Sequence, residues 1–286
     1  MILKILYLFN PKLIYLKRLD FCTFQNNMKY FIFLFLLISL SMHSQNSIEA
    51  TPIKSIDFKA DSIISIDNFG SVYYLKNNTF YKKSNNKTIS YNNLQLGNIS
   101  SAHSYNPLKI NLFYKDFNTV LVLDNRLAEI FKIDFNNIQP YKNISHISSG
   151  FDNTLWVFNI DTQQLELYNY KKNTTLAHSL PLKGKILDLK SNYNSVWLLT
   201  TNYIYKYNYF GNLLKKVKNN GYTELAESNG NIILKKENAL FYLKKDAENP
   251  LPILLPNLLI NQFFVTNETL YIYQNQKLQQ FQLKIN

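Results

Sequence analysis

The stretch DNTLWVF, Asp152 to Phe158, returns 41 residues later as YNSVWLL, Tyr193 to Leu199. Four more stretches follow the same pattern: SVYYL from Ser71, TVLVL from Thr119, NIILK from Asn231 and TLYIY from Thr269. Aligned on Val72, Val120, Leu155, Val196, Ile232 and Leu270, the copies stand 48, 35, 41, 36 and 38 residues apart. Each copy is apolar on consecutive positions, as expected of a short strand covered on both faces. Each also follows a turn rich in Asn, Asp or Gly, residues that tolerate the positive φ of tight hairpins. A repeat of about 40 residues built from such strands is the period of a propeller blade. The expected fold is all-β: a six-bladed β-propeller of four-stranded antiparallel blades.

The blades can be placed strand by strand. In the first, the sequence predicts strands at Ile63 to Ile66, Val72 to Leu75, Thr79 to Lys82 and Thr88 to Tyr91. Asp116-Phe117-Asn118, Asp152-Asn153, Tyr193-Asn194, Asn229-Gly230 and Asn267-Glu268 are read as the inner hairpin turns of the later copies. The last copy supplies a third strand near Leu278 to Leu283 and then ends. Ile48 to Ile53 is placed to add the missing outer strand, closing the ring and covering a sheet edge. Trp156 and Trp197 stand at one position in consecutive copies, which points to packing between blades.

Residues 1–45 read as a processing segment and 46–286 as one propeller domain. Met28-Lys29 precedes the mostly apolar run Tyr30 to Leu40, followed by Ser41, Ser44 and Gln45. That is the plan of a secretory signal over 28–45, with Met28 as the start and cleavage near Ser44 or Gln45. The run is too short to span a bilayer comfortably. The single cysteine, Cys22, lies ahead of it, so the exported domain has no disulfide framework and no lipid-bearing Cys. A periplasmic or secreted protein is expected.

The formal charge is +12, yet of 31 basic residues only Arg18 and Arg126 are Arg. Without guanidinium forks to read bases and phosphates, nucleic-acid binding is not expected. The doublets Lys82-Lys83, Lys171-Lys172, Lys215-Lys216, Lys235-Lys236 and Lys244-Lys245 fall near strand ends and turns, where charge keeps edges soluble. The functional alternative is a basic rim drawn to anionic lipid headgroups or an acidic partner.

No catalytic pattern stands out. His103, His146 and His178 lie in different copies without metal-ligand spacing, and the sequence holds no G-x-S-x-G elbow, H-E-x-x-H pair or phosphate-cradling glycine loop. No cofactor, metal or catalytic residue is expected. The longest spacing, 48 residues, is assigned to an extra loop, Gly97 to Pro107, placed beside the turn at Asp124, Asn125 and Arg126. Function tends to sit on loops held by a rigid scaffold, so His103, Tyr105, Asp124, Asn125 and Arg126 form the candidate partner-binding set.

In its repeat spacing and its turn-Thr/Ser-apolar phrase, the chain resembles secreted and periplasmic bacterial β-propeller proteins with NHL-like or YVTN-like blades, over nearly all of 48–286. The resemblance and the absence of catalytic motifs together suggest a monomeric, non-enzymatic interaction scaffold of the cell envelope. A small-ligand or sugar-binding propeller is the alternative, with a metal-dependent lactonase-like or esterase-like hydrolase behind it.

Overall fold

The computed structural model describes residues 47–85 and 87–285. The expected start, signal and cleavage zone fall outside these residues. Among the described residues the regular structure is almost wholly β: 24 strands, β1 to β24, in five sheets. Four sheets are separate antiparallel blades of four strands. The first holds β2 (Ser62–Ile66), β3 (Val72–Lys76), β4 (Thr79–Lys83) and β5 (Thr88–Tyr91). The second holds β6 (Ser101–His103), β7 (Ile110–Tyr114), β8 (Thr119–Leu123) and β9 (Glu129–Asp134). The third runs from β10 (Ile144–Ser149) through β11 (Thr154–Asn159) and β12 (Gln164–Asn169) to β13 (Thr174–His178). The fourth runs from β14 (Ile186–Ser191) through β15 (Ser195–Thr200) and β16 (Tyr203–Asn208) to β17 (Leu213–Lys218).

The fifth sheet corrects the expected count, because four blades stand alone and not six. Its eight strands are β18 (Glu224–Ser228), β19 (Asn231–Lys236), β20 (Ala239–Leu243), β21 (Leu251–Leu254), β1 (Ile48–Asp57), β24 (Lys277–Lys284), β23 (Thr269–Gln274) and β22 (Gln262–Thr266), in that spatial order. The cause is the length and place of β1. It runs antiparallel to β24 from Glu49↔Lys284 to Asp57↔Lys277, while its first two residues pair in parallel with Ile253 and Leu254 of β21. One strand thereby covers two open edges, satisfying backbone groups that would otherwise invite another chain.

A second correction concerns the second blade. TVLVL is its third strand, β8, and the supposed loop 97–107 contains its innermost strand, β6. Three polar or small residues, Ser101, Ala102 and His103, carry no apolar signature, so the sequence pattern aligns the wholly buried β8 with the second strands of the other blades. Asp116-Phe117-Asn118 consequently joins the second and third strands, whereas Asp152-Asn153 joins the first and second strands of the next blade, so the two turns lie at opposite blade ends.

The blades pack through their aromatic and branched side chains. Trp156 shares a buried cluster with Ile186, Leu189, Val196 and Leu198 of the following blade, and Trp197 shares one with Leu225, Ile232 and Leu234 of the next. The inner strands are also tied by polar bonds. Ser191 Oγ donates to Ser148 Oγ at 2.7 Å, the Leu225 N–H to Asp188 Oδ2 at 2.9 Å, the Ile63 N–H to Gln262 Oε1 at 3.0 Å and Thr266 Oγ1 to the Ile66 carbonyl at 2.7 Å. Bonds between β22 and β2 thus join the last sheet to the first across about 200 residues of chain.

Asparagine has a repeated task that its abundance conceals. Asn78, Asn118 and Asn238 each occupy a turn between second and third strands and clip the linker that leads to the next blade. Asn78 Nδ2 donates to the Gly97 carbonyl at 2.8 Å and Oδ1 accepts the Ile99 N–H at 2.8 Å. For Asn118 the partners are the Lys142 carbonyl at 2.7 Å and the Ile144 N–H at 3.1 Å; for Asn238 they are the Leu258 carbonyl at 2.8 Å and the Ile260 N–H at 2.7 Å. Asn78 and Asn118 sit at φ of 56° and 46°, a region that Asn enters more cheaply than most residues.

Candidate interaction face and ring centre

At one end of the blades lie the turns between first and second strands and those between third and fourth. The short polar side chains of these turns fold the backbone onto themselves. Asp67 Oδ1 accepts the N–H groups of Phe69 and Ser71, Asn192 Oδ1 those of Asn194 and Ser195, and Asn208 Oδ1 those of Phe210 and Asn212, all at 2.8–3.0 Å. With the backbone so occupied, the intervening aromatic residue points outward. Phe69 is 88% exposed and Phe210 63%, large values for such apolar rings.

The aromatics cluster in pairs across different blades. Tyr105, on the turn after β6, meets Tyr193, on the turn after β14, with ring centroids 4.9 Å apart and planes at 71°. Their two blades have the β10–β13 blade between them, so this contact reaches across one mouth of the ring. Phe151, in the turn after β10, meets Tyr209 edge-on at 5.7 Å, and Tyr209 lies 4.0 Å from Phe210. Tyr105 and Tyr193 remain nearly half exposed. Glu227, at the end of β18, adds a carboxylate held by Asn192 Nδ2 at 2.7 Å and the Gly230 N–H at 2.9 Å; burial pushes its carboxyl above the usual range. Burial first, and then the Glu227 charge, push the Tyr105 hydroxyl up.

At the centre of the ring, His103 of β6, His146 of β10, and Asp188 and Lys190 of β14 come within electrostatic reach of one another. Asp188 Oδ1 lies 3.1 Å from Lys190 Nζ. Burial holds the His103 imidazole down at about 3, with the Lys190 charge adding to the effect, and burial also lowers His146. Both rings are therefore neutral near pH 7, able to donate or accept a hydrogen bond but poorly placed to supply a proton. Among the described residues, no group of three or more His, Cys, Asp or Glu side chains is arranged to hold a metal ion.

The five residues singled out by sequence fall in three places. His103 is at the ring centre, and Tyr105 is at its mouth. Asp124, Asn125 and Arg126 occupy an outer turn of the same blade, where Asp124 Oδ1 accepts the Arg126 and Ala128 N–H groups and Lys82 Nζ of the neighbouring blade reaches the Asn125 carbonyl at 3.2 Å. They share an end of the molecule with Tyr105 but form no common cluster with it. The residues missed were Phe69, Phe151, Tyr193, Tyr209 and Phe210. For Phe69 and Phe210 a signal was available: each is an apolar ring inside a turn made of Asn, Asp and Gly.

No protein-family model matches the chain, and no characterised protein matches it in sequence. Solved structures do. A streptogramin B lyase is 14% identical over 84% of this chain and 88% of its own, with a TM-score of 0.57. A catalytically inactive virginiamycin B lyase from Staphylococcus aureus, with quinupristin, is 14% identical over 78% and 81%, at 0.54. The Pan2 WD40 domain of Neurospora crassa is 9% identical over 79% and 76%, at 0.53. At such identities the likeness carries the fold alone: the chain is an all-β propeller with blades of four antiparallel strands.

Proposed function

We propose that this protein is a non-catalytic interaction scaffold of the bacterial cell envelope, exported by its N-terminal segment, and that it binds a partner protein at the aromatic mouth. The observation that carries the proposal is the set of turn aromatics, Phe69, Tyr105, Phe151, Tyr193, Tyr209 and Phe210, gathered at one end of a rigid ring. Aromatic side chains are enriched at the cores of protein interfaces, and exposed rings held by fixed turns lose little entropy on binding. Asp124, Asn125 and Arg126 extend the same face outward.

The test is photo-crosslinking in cells, with the crosslinker at position 193, followed by mass spectrometry. A reproducible envelope protein, captured no longer once Tyr105 and Phe210 are replaced by Ala, is the expected result. Capture that is indifferent to these replacements overturns the assignment of the face. A small-ligand reading is favoured by one observation, the neutral His103 and His146 beside the Asp188–Lys190 pair; stabilisation by a sugar that disappears in His146→Ala would support it.

A further inference from the structure

Between the blade of β14–β17 and the neighbouring strands β18–β21 lies a small cavity of about 20 Å³, room for about one water-sized group. Lys206, Lys215, Lys244 and Lys245 line it, with Trp197 and Gly230 among the remaining wall, and none of its lining residues carries a carboxylate. The four lysines come from three separate places in the chain, β16, β17 and the segment after β20, so their convergence is a product of folding.

Two features are hard to explain by packing alone. Lys206 and Lys215 are direct cross-strand partners, an arrangement in which like charges repel. Lys206 is also only 8% exposed, and its ammonium lies 5.0 Å over the ring of Trp197, its cross-strand partner on the other side. Burial, and then the charge of Lys245, hold the Lys206 ammonium below the usual lysine range; Asp246 and Glu227 oppose this and Lys215 adds to it. Lys215 Nζ donates to the Ala247 carbonyl, which fixes the segment bearing Lys244 and Lys245 over the seam. The Lys245 stem lies against Gly230, where even a Cβ would approach its Cδ to 3.3 Å.

We propose that this seam is a binding site for a phosphate-type oxyanion. The ligand seats one oxygen in the cavity, against Lys206, and receives charge-assisted hydrogen bonds from Lys215 and Lys245 at its mouth. Lysines supply such bonds as point charges without the fixed fork of arginine, so the site reads charge and size more than the ligand's orientation. The bound anion would offset the repulsion between Lys206 and Lys215. The same chemistry is offered by a free phosphate or by the headgroup of an anionic lipid. The site adjoins the aromatic mouth through Gly230 and Glu227 but shares no residue with its aromatic set, so substitutions at Lys206 and at Tyr105 with Phe210 test the two readings separately.

The full-length protein is titrated with inorganic phosphate and with pyrophosphate, against sodium chloride of equal ionic strength, and followed by thermal unfolding and calorimetry. In parallel it is sedimented with vesicles of phosphatidylglycerol and of phosphatidylcholine. Saturable binding to the free anions assigns a soluble ligand, whereas binding only to phosphatidylglycerol vesicles assigns a lipid headgroup. In either case Lys206→Met should weaken binding at least about tenfold, the loss of one charged hydrogen bond. Met fills the place beside Trp197 with similar volume, so this variant should fold; if it does not, Lys245→Gln on the exposed side carries the same expectation. No binding beyond that of chloride and neutral vesicles, or equal binding by the substituted proteins, overturns the proposal.

Discussion

Replacing Asn118 by Ala tests how the blades are joined. Its amide makes two bonds to the linker, to the carbonyl of Lys142 and the N–H of Ile144, and both linker residues are buried. Water cannot replace the lost partner, so each group left unpaired costs about 1 to 3 kcal/mol. Ala must also hold φ at 46°, which adds about 1 kcal/mol. The sum is about 4 kcal/mol. For a domain of this size, at roughly 2 to 4 °C per kcal/mol, melting should fall by about 10 °C. Differential scanning calorimetry of three variants separates the contributions. Asn118→Gly removes the bonds but not the backbone freedom, so it should recover about 3 °C relative to Ala. Asn92→Ala, at an exposed position, should stay within about 0.5 kcal/mol of the parent. If Asn118→Ala melts within about 2 °C of the parent, the linker clip contributes nothing measurable and the reasoning fails.

Two further outcomes follow from buried charge. Lys142 and Glu166 form a buried ion pair, in which Glu166 also accepts from Asn159 Nδ2 and Thr175 Oγ1 at 3.0 Å each. Lys142→Ala leaves that carboxylate buried without its cation and should cost about 3 to 5 kcal/mol in urea unfolding, while Lys142→Met with Glu166→Leu should recover most of the loss. A single variant as stable as the parent would refute this. His103 gives the pH dependence: its imidazole titrates near 3 in the fold and near 6.5 when unfolded, so the unfolded chain binds more protons between those values. Stability contributed there is present above about pH 6.5 and lost progressively toward pH 3. His103→Gln should flatten that part of the stability profile, and an unchanged slope would remove His103 from the account.

The depth to which the sequence could be read varied with the kind of residue. Apolar strands such as β11, with all six residues buried, announce themselves because both faces are covered and no polar position interrupts them. β6 was invisible for the opposite reason: it is short, polar and held in place by β7, so its strand character comes from pairing and not from its residues. The same limit shaped the candidate site. Tyr105 was identified by its place in a long spacing, but the partner that gives it a setting, Tyr193, is 88 residues away in sequence. The charge of the Lys doublets was plain; that Lys215 and Lys245 face the same cavity with Lys206 was not.

By itself, then, the sequence determined the repeat, the all-β class and most of the turns, since hydrophobic period and turn chemistry are local properties. The tertiary structure decided which strand of the second blade is innermost, how β1 bridges β21 and β24, and which aromatics and lysines converge. Those outcomes depend on pairing register and on contacts between residues tens to hundreds of positions apart. Register shifts by a single residue reverse the face a side chain occupies, so no local signal fixes them until the sheets are packed together.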